Sequence, residues 1–241
     1  MIALLRYQAA ILLRSHRWIF PLIGYGLLIA VGAAGSTSLA ETFDWSGAML
    51  VPVVAFLTRA MLTAEPDAAR ACVGAAAGPA RAQLATLLVP LGGGALLGAA
   101  AVVFDVLTAE PASAVAGAPG SLADKVLDAA RHPGIVVAGL LIALICLLVG
   151  SAVGTLCNPP MLRNPGAAML TTLAAIVLAL AVDVSPAAAA ISGTKAQAAG
   201  PLAATWPGAA PLIGACCLLA IAWAVSVFAA TRRDTWSVRS E

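Results

Sequence analysis

The chain consists largely of continuous apolar runs of about 20 residues, the length that an α-helix needs to cross a lipid bilayer. Charged residues make up only 10% of its 241 residues, whereas 61% are hydrophobic. A soluble domain usually carries about a quarter charged residues, because its surface faces water. A membrane β-barrel would alternate apolar and polar residues with a period of two, and these runs do not. The sequence therefore predicts an all-α, polytopic membrane protein.

We predict six transmembrane helices in a single transmembrane domain spanning 1–241. The apolar runs place them at residues 18–35, 47–62, 84–106, 134–156, 166–182 and 210–231. With both termini in the cytoplasm, ten of the thirteen Lys and Arg residues lie inside, and only Lys125, Arg131 and Lys195 lie outside. This distribution satisfies the positive-inside rule and predicts a multi-pass protein of the cell inner (plasma) membrane.

The N-terminal segment 1–17 precedes the first span and is too short and too charged to cross the membrane. Ile2, Leu5, Leu12 and other apolar residues recur at helical spacing, which is typical of a helix lying in the membrane surface. Three arginines would anchor it to anionic headgroups, namely Arg6, Arg14 and Arg17. The alternative is an ordinary basic flank that only sets topology. A cleaved signal peptide ending near 36–41 is a further alternative, but its apolar core would exceed the usual 7–15 residues.

The segment 63–83 is a polar interruption between the second and third spans. Glu65 and Asp67 favour a helix start, because carboxylates interact well with the N-terminal dipole. Gly78, followed by a proline, ends that helix, and Arg81 anchors the next span. The pattern predicts a short cytoplasmic helix fixed directly to two spans.

Two loops on the outside are long, 105–133 and 183–209. In the first, Ser121 and Asp124 have the spacing of a capping box, and the apolar residues that follow predict a short surface helix. The second is rich in Ala, Gly, Ser and Pro, and it is compatible either with re-entrant helices or with a flexible cap.

The residues that would support catalysis or ion transport are missing from the span centres. His16 and His132, the only two histidines, fall on opposite sides of the predicted membrane, and no Walker A motif occurs. The five cysteines lie in no predicted outside segment, so no disulfide framework is expected. We therefore expect no enzyme activity, no metal site and no cofactor in this chain. The Gly-x-x-x-Gly patterns at 94–98 and 150–154 fit either a subunit interface or packing within one bundle.

This layout resembles the permease subunits of type-2 ABC exporters over its whole length. Members of that family have six spans, an amphipathic elbow helix before the first, a coupling helix between the second and third, and an outer loop with re-entrant helices between the fifth and sixth. The segments 1–17, 63–81 and 183–208 stand at the matching places, and the short turn 157–166 stands where the family has a second cytoplasmic contact. The long outer loop 105–132 exceeds what the simplest members carry.

The resemblance implies that two permease subunits, alike or different, pair around a pathway and that each docks a separate cytoplasmic ATPase, which binds ATP and magnesium. The residues implied in the ATPase contact are Glu65, Asp67, Arg70, Gly74, Gly78, Arg81 and Arg163. The uncharged span centres indicate a hydrophobic or amphipathic cargo, such as a drug, peptide or lipid. Nucleic acid is not expected as a partner. The alternative is a membrane scaffold or sensor that binds a cytoplasmic partner and transports nothing.

Overall fold

The computed structural model describes residues 1–35, 39–109, 121–131, 133–157, 165–197 and 208–237, and all regular structure in these residues is helical. This part of the chain contains ten helices: α1 (Ile2–Ser15), α2 (Ile19–Gly35), α3 (Leu39–Leu62), α4 (Asp67–Ala77), α5 (Pro79–Thr108), α6 (Leu122–Arg131), α7 (Pro133–Leu156), α8 (Pro165–Ala181), α9 (Pro186–Gln197) and α10 (Ala209–Ser237).

Among the described residues, five helical segments are long and apolar enough to cross a membrane, and a sixth span results when the bent pair α1 and α2 is counted as one. The chain is therefore an all-α, multi-pass membrane protein, as the apolar runs predict. α5 runs from one end of the bundle to the other. We call the end that carries α4 the α4 end, and the opposite end, which carries α6, the α6 end.

α3 and α7 form the centre of the bundle, and 61% of the apolar stretch of α3 is buried. α8 and α10 lie at the periphery, where only 17% of the corresponding stretches is buried. Large side chains on the outer helices, including Phe20, Leu96 and Leu170, are exposed. An apolar outer surface of this extent is what a lipid-facing fold requires.

The central pair is in backbone contact. A Cβ atom on Gly150 would lie 2.7 Å from the backbone oxygen of Val51, and one on Gly154 would lie 2.7 Å from that of Ala55. Only glycine permits this approach. Gly94 and Gly98 likewise face side chains of α3 and α7. Both Gly-x-x-x-Gly patterns therefore pack within the bundle, which is the second of the two predicted alternatives.

The second span begins earlier than its predicted start at residue 47. α3 starts at Leu39, and its first turns contain the polar residues Thr42, Asp44 and Ser46, all of which are buried in the bundle. Because these residues are polar, the sequence predicts a loop before residue 47. The helix extends because these side chains are enclosed by neighbouring helices.

The outer loop 183–209 contains an ordered helix in its first half. α9 contributes Ala187 and Ala190 to the core, and it contacts α3, α7 and α10. Together with α8 it forms one apolar stretch of 27 residues, Gly166–Ser192. α9 therefore follows α8 after a turn at 182–185 and packs on the bundle, and residues 198–207 lie outside the described part of the chain.

Candidate partner-docking site

The N-terminal helix bends sharply away from the first span. α1 and the helix Ile19–Ala34 meet at an angle of 75°. His16, at the C-terminus of α1, adopts a left-handed conformation with φ 54°, and the chain bends at this end of the helix. A helix is thus present in the predicted N-terminal segment, and it forms an elbow with α2.

α1 docks on the inner faces of two spans through a small apolar cluster. Leu12 is buried against Leu57 and Met61 of α3, with Val89 of α5 and Trp18 packed beside them. Leu13, the next residue and about 100° further round the helix, is exposed. One side of α1 is therefore held by the bundle, and the other side is free to contact lipid.

A carboxylate links α1 to the connector 63–66 between α3 and α4. Glu65 is only 6% exposed. Its Oε2 atom accepts a hydrogen bond of 3.2 Å from Nε2 of Gln8, and its Oε1 atom accepts one of 3.4 Å from the hydroxyl of Tyr7. Desolvation, followed by the nearby Glu65 carboxylate, raises the pKa of the Tyr7 phenol above its ordinary value.

Two arginines hold the backbone where α3 ends and the connector begins. Nη1 of Arg17 donates to the carbonyl of Thr63 at 3.0 Å, and Nη2 of Arg70 donates to the carbonyl of Leu62 at 2.7 Å. Leu62 is the last residue of α3, where carbonyl groups lack partners within the helix. Arg70, which belongs to α4, therefore caps the C-terminus of α3.

α4 joins α5 without a flexible linker. Gly78 has φ 85° and ψ 140°, a conformation that residues with a Cβ atom rarely adopt, and its amide donates to the carbonyl of Gly74 at 2.8 Å. Pro79 is already the first residue of α5, where its fixed φ suits a helix start. One residue thus separates α4 from α5, whereas the connector 63–66 joins α4 to α3.

The face of α4 directed away from the bundle is formed by small side chains. Its exposed residues recur at spacings of three and four: Ala68, Ala71, Cys72, Ala75 and Ala76. Because these side chains are short, another protein surface is able to approach the helix backbone closely. Arg70 and Val73, which lie on the opposite face, are half-buried.

The structure places the predicted contact residues in different surroundings. Arg81 is exposed, and Gly74 has open space where a Cβ atom would stand. Asp67 begins α4, as predicted. Glu65 and Arg70, in contrast, are turned inward and fasten α4 to α1 and α3. Arg163 lies outside the described residues.

The three predicted anchors on and after α1 are all exposed. Of these, Arg6 and Arg14 point away from the bundle's core, whereas Arg17 also holds the connector. This additional role has no local signal in the sequence, because Arg17 and Thr63 are 46 residues apart.

A buried polar cluster near the α6 end also had no clear sequence signal. Asp105 is fully buried, and its Oδ2 atom accepts a hydrogen bond of 2.6 Å from Ser46. The hydroxyl of Tyr25 donates to the backbone carbonyl of Ser46 at 3.1 Å. Asp105 is predicted at the outer end of its span, and the structure adds that it joins α2, α3 and α5. The Oδ1 atom has no hydrogen-bond partner among the described residues.

In comparisons with known proteins, no family model matches this chain, and no curated protein or solved structure matches it either. The functional interpretation consequently depends on the geometry of the α4 end.

Proposed function

We propose that the chain is the membrane-spanning permease subunit of an ATP-driven ABC exporter. The observation that carries the proposal is the unit formed at the α4 end by α1, the connector and α4. The elbow bends by 75°, and it is bonded to the connector immediately before a short helix that joins two spans. This combination supports a role in which α4 receives force from a partner protein and transmits it to the bundle.

The partner that we propose is a cytoplasmic ABC ATPase, which would bind ATP and magnesium. It would dock on the small-residue face of α4, with Arg81 at its edge. Arg70 and Gly78 would transmit the motion. Arg70 caps the C-terminus of α3, and Gly78 is the single residue between α4 and α5. In this proposal Glu65 acts through Gln8 and Tyr7 and makes no direct contact with the ATPase.

The proposed orientation places the α4 end in the cytoplasm of a cell whose inner membrane holds the protein. Arginines are frequent at that end, where Arg6, Arg14, Arg17 and Arg81 are exposed. The described residues at the α6 end carry fewer cations, among them Lys125 and Arg131. The positive-inside rule supports this orientation and thus two cytoplasmic termini.

The cargo that we propose is hydrophobic or amphipathic, and the pathway would lie between two permease chains, identical or different. The charged residues of the described spans are concentrated near the helix ends, and the middle of the bundle core is formed by aliphatic residues such as Leu50, Val54 and Ile145. Without a midplane charge to couple to an ion gradient, ATP on a partner supplies the driving force in this proposal.

The experiment that tests the proposal is co-purification in mild detergent of the tagged chain with the products of its neighbouring genes, followed by an ATP hydrolysis assay. Ala71→Arg and Ala75→Arg each place a long charged side chain on the exposed face of α4. The matched control is Ala181→Arg, an exposed alanine at the other end of the bundle. We expect an ATPase to co-purify with the unmodified chain and the control, and to be lost from the α4 variants.

Two outcomes would contradict the proposal. A chain that purifies without an ATPase, and whose preparations hydrolyse no ATP, would exclude the exporter. A cytoplasmic partner that binds the α4 face but lacks ATPase activity would instead support the alternative of a scaffold or sensor.

A further inference from the structure

The short helix at the α6 end is strongly amphipathic. At about 100° per residue, Leu122, Ala123, Val126, Leu127 and Ala130 fall within an arc of about 140° on one side of α6. Asp124, Lys125 and Arg131 fall on the other side. We call the first arc the apolar face of α6.

The helix start is stabilised locally. The backbone amide of Ser121 donates to Oδ2 of Asp124 at 3.1 Å, and the amide of Asp124 donates to the hydroxyl of Ser121 at 3.2 Å. This reciprocal pair is a capping box, which satisfies amide groups that otherwise lack partners at a helix N-terminus. α6 therefore does not need to bury its apolar face in the protein in order to begin.

The apolar face is directed away from the protein. Leu122 is 66% exposed, and Val126 and Leu127 are each 51% exposed. The polar side provides the attachment instead, because Nζ of Lys125 donates to the carbonyl of Thr108 at 3.1 Å. This arrangement is the reverse of a surface helix in a soluble protein, which packs its apolar side on the core.

The attachment points of α6 set its depth in the membrane. Thr108 is the last residue of α5, and only one residue separates α6 from α7. α5 has 30 residues and α7 has 24, which correspond to about 45 Å and 36 Å at 1.5 Å per residue. Both exceed the roughly 30 Å of a bilayer's hydrocarbon core. The ends that hold α6 therefore lie at the level of the lipid headgroups.

We propose that α6 is a membrane-interface helix, with its apolar face inserted among the acyl chains of the leaflet at the α6 end. Its partner is lipid, and the interaction is non-covalent. An amphipathic helix at headgroup depth gains free energy by placing its apolar side in the acyl region and its charged side in the headgroups. This inference does not depend on the proposed transport function.

The test uses the full chain with its five cysteines replaced by alanine and one new cysteine, either Val126→Cys or Arg131→Cys. Both positions are exposed in the structure, but they lie on opposite sides of α6. Each variant is labelled with an environment-sensitive fluorophore and reconstituted in phosphatidylcholine vesicles, with or without a lipid that carries a spin label on its acyl chain. Unchanged elution and circular dichroism establish that both variants are folded.

We expect the label at 126 to emit at shorter wavelength and to be quenched several-fold more by the spin-labelled lipid than the label at 131. Equal quenching at the two positions would overturn the proposal. A blue-shifted label at 126 that lipid does not quench would also overturn it, because protein would then cover the apolar face. Disulfide-linked dimers through position 126 would identify that covering protein as a second copy of the chain.

Discussion

The hydrogen bonds of Glu65 predict how firmly α1 is held to the bundle. Gln8 is fully buried, its Nε2 atom donates to Glu65, and its Oε1 atom has no partner among the described residues. Glu65→Met removes the acceptor and leaves the whole amide of Gln8 without a partner. Hydrogen bonds to charged groups contribute about 1.5–3 kcal/mol, and an unsatisfied buried polar group costs about 1–3 kcal/mol.

The two bonds to Glu65 are long, at 3.2 and 3.4 Å, so the low part of these ranges applies. We expect Glu65→Met to weaken the docking of α1 by about 2–3 kcal/mol, which is a factor of roughly 30–150 in the opening equilibrium. Adding Gln8→Met removes the amide that has lost its partner. We expect the double variant to recover about 1 kcal/mol or more of the docking free energy of α1.

The assay is hydrogen exchange of the α1 amides, followed by mass spectrometry on the chain in lipid nanodiscs. In the Glu65→Met variant α1 should exchange faster by the factor given above, while α7 should not change. Asp183→Asn is the matched control, since it alters an exposed carboxylate at the other end of the bundle. A change of less than threefold in α1, or a double variant no better than the single one, would refute the reasoning.

Three further predictions concern packing, the buried carboxyl and pH. Gly150→Ala should lower the thermal unfolding temperature in detergent, because its Cβ would stand 2.7 Å from backbone, whereas Gly74→Ala, with open space, should stabilise α4 by up to about 1 kcal/mol. Asp105→Asn keeps an acceptor for Ser46 and should unfold near the temperature of the unmodified chain, whereas Asp105→Leu should cost about 1–3 kcal/mol; equal effects would contradict this. The hydrogen bonds from Ser121 hold the pKa of Asp124 below its ordinary value. The ionised carboxylate therefore stabilises α6 above that ordinary pKa, and the stabilisation is lost as the pH falls through the lowered pKa. Carbonyl chemical shifts of α6 should show the loss of helix below about pH 4, and they should not change in this way in Asp124→Asn.

Local patterns predicted most of the fold. The long apolar helices, the N-terminal helix α1 and the helices α4 and α6 each depend on interactions within a few residues or with lipid. The Ser121 and Asp124 pair is an example, because both partners lie in one turn of helix. Such signals are readable without knowing what packs against the segment.

Long-range contacts were not predictable in the same way. Glu65 reads as a solvated charge in a loop, but its partners lie 57 and 58 residues earlier in the chain. Ser46 and Asp105, 59 residues apart, read as loop or helix-end residues, and they meet inside the bundle. Distant segments bury these charged residues, which local patterns assign to solvent or to helix ends. The hydrophobic periodicity of a segment does not indicate which distant segments will pack against it.

The glycine contacts between α3 and α7 also determine which parts of the bundle are able to move. Val51 and Ala55 of α3 touch α7 through backbone atoms, so a relative sliding of these two helices would force main chains together. Tightly packed elements of this kind move as one body, while movement takes place at looser contacts. A tilt of α3 would therefore carry α7 with it, and the displacement would be taken up at helices that pack less closely on this pair, such as α8.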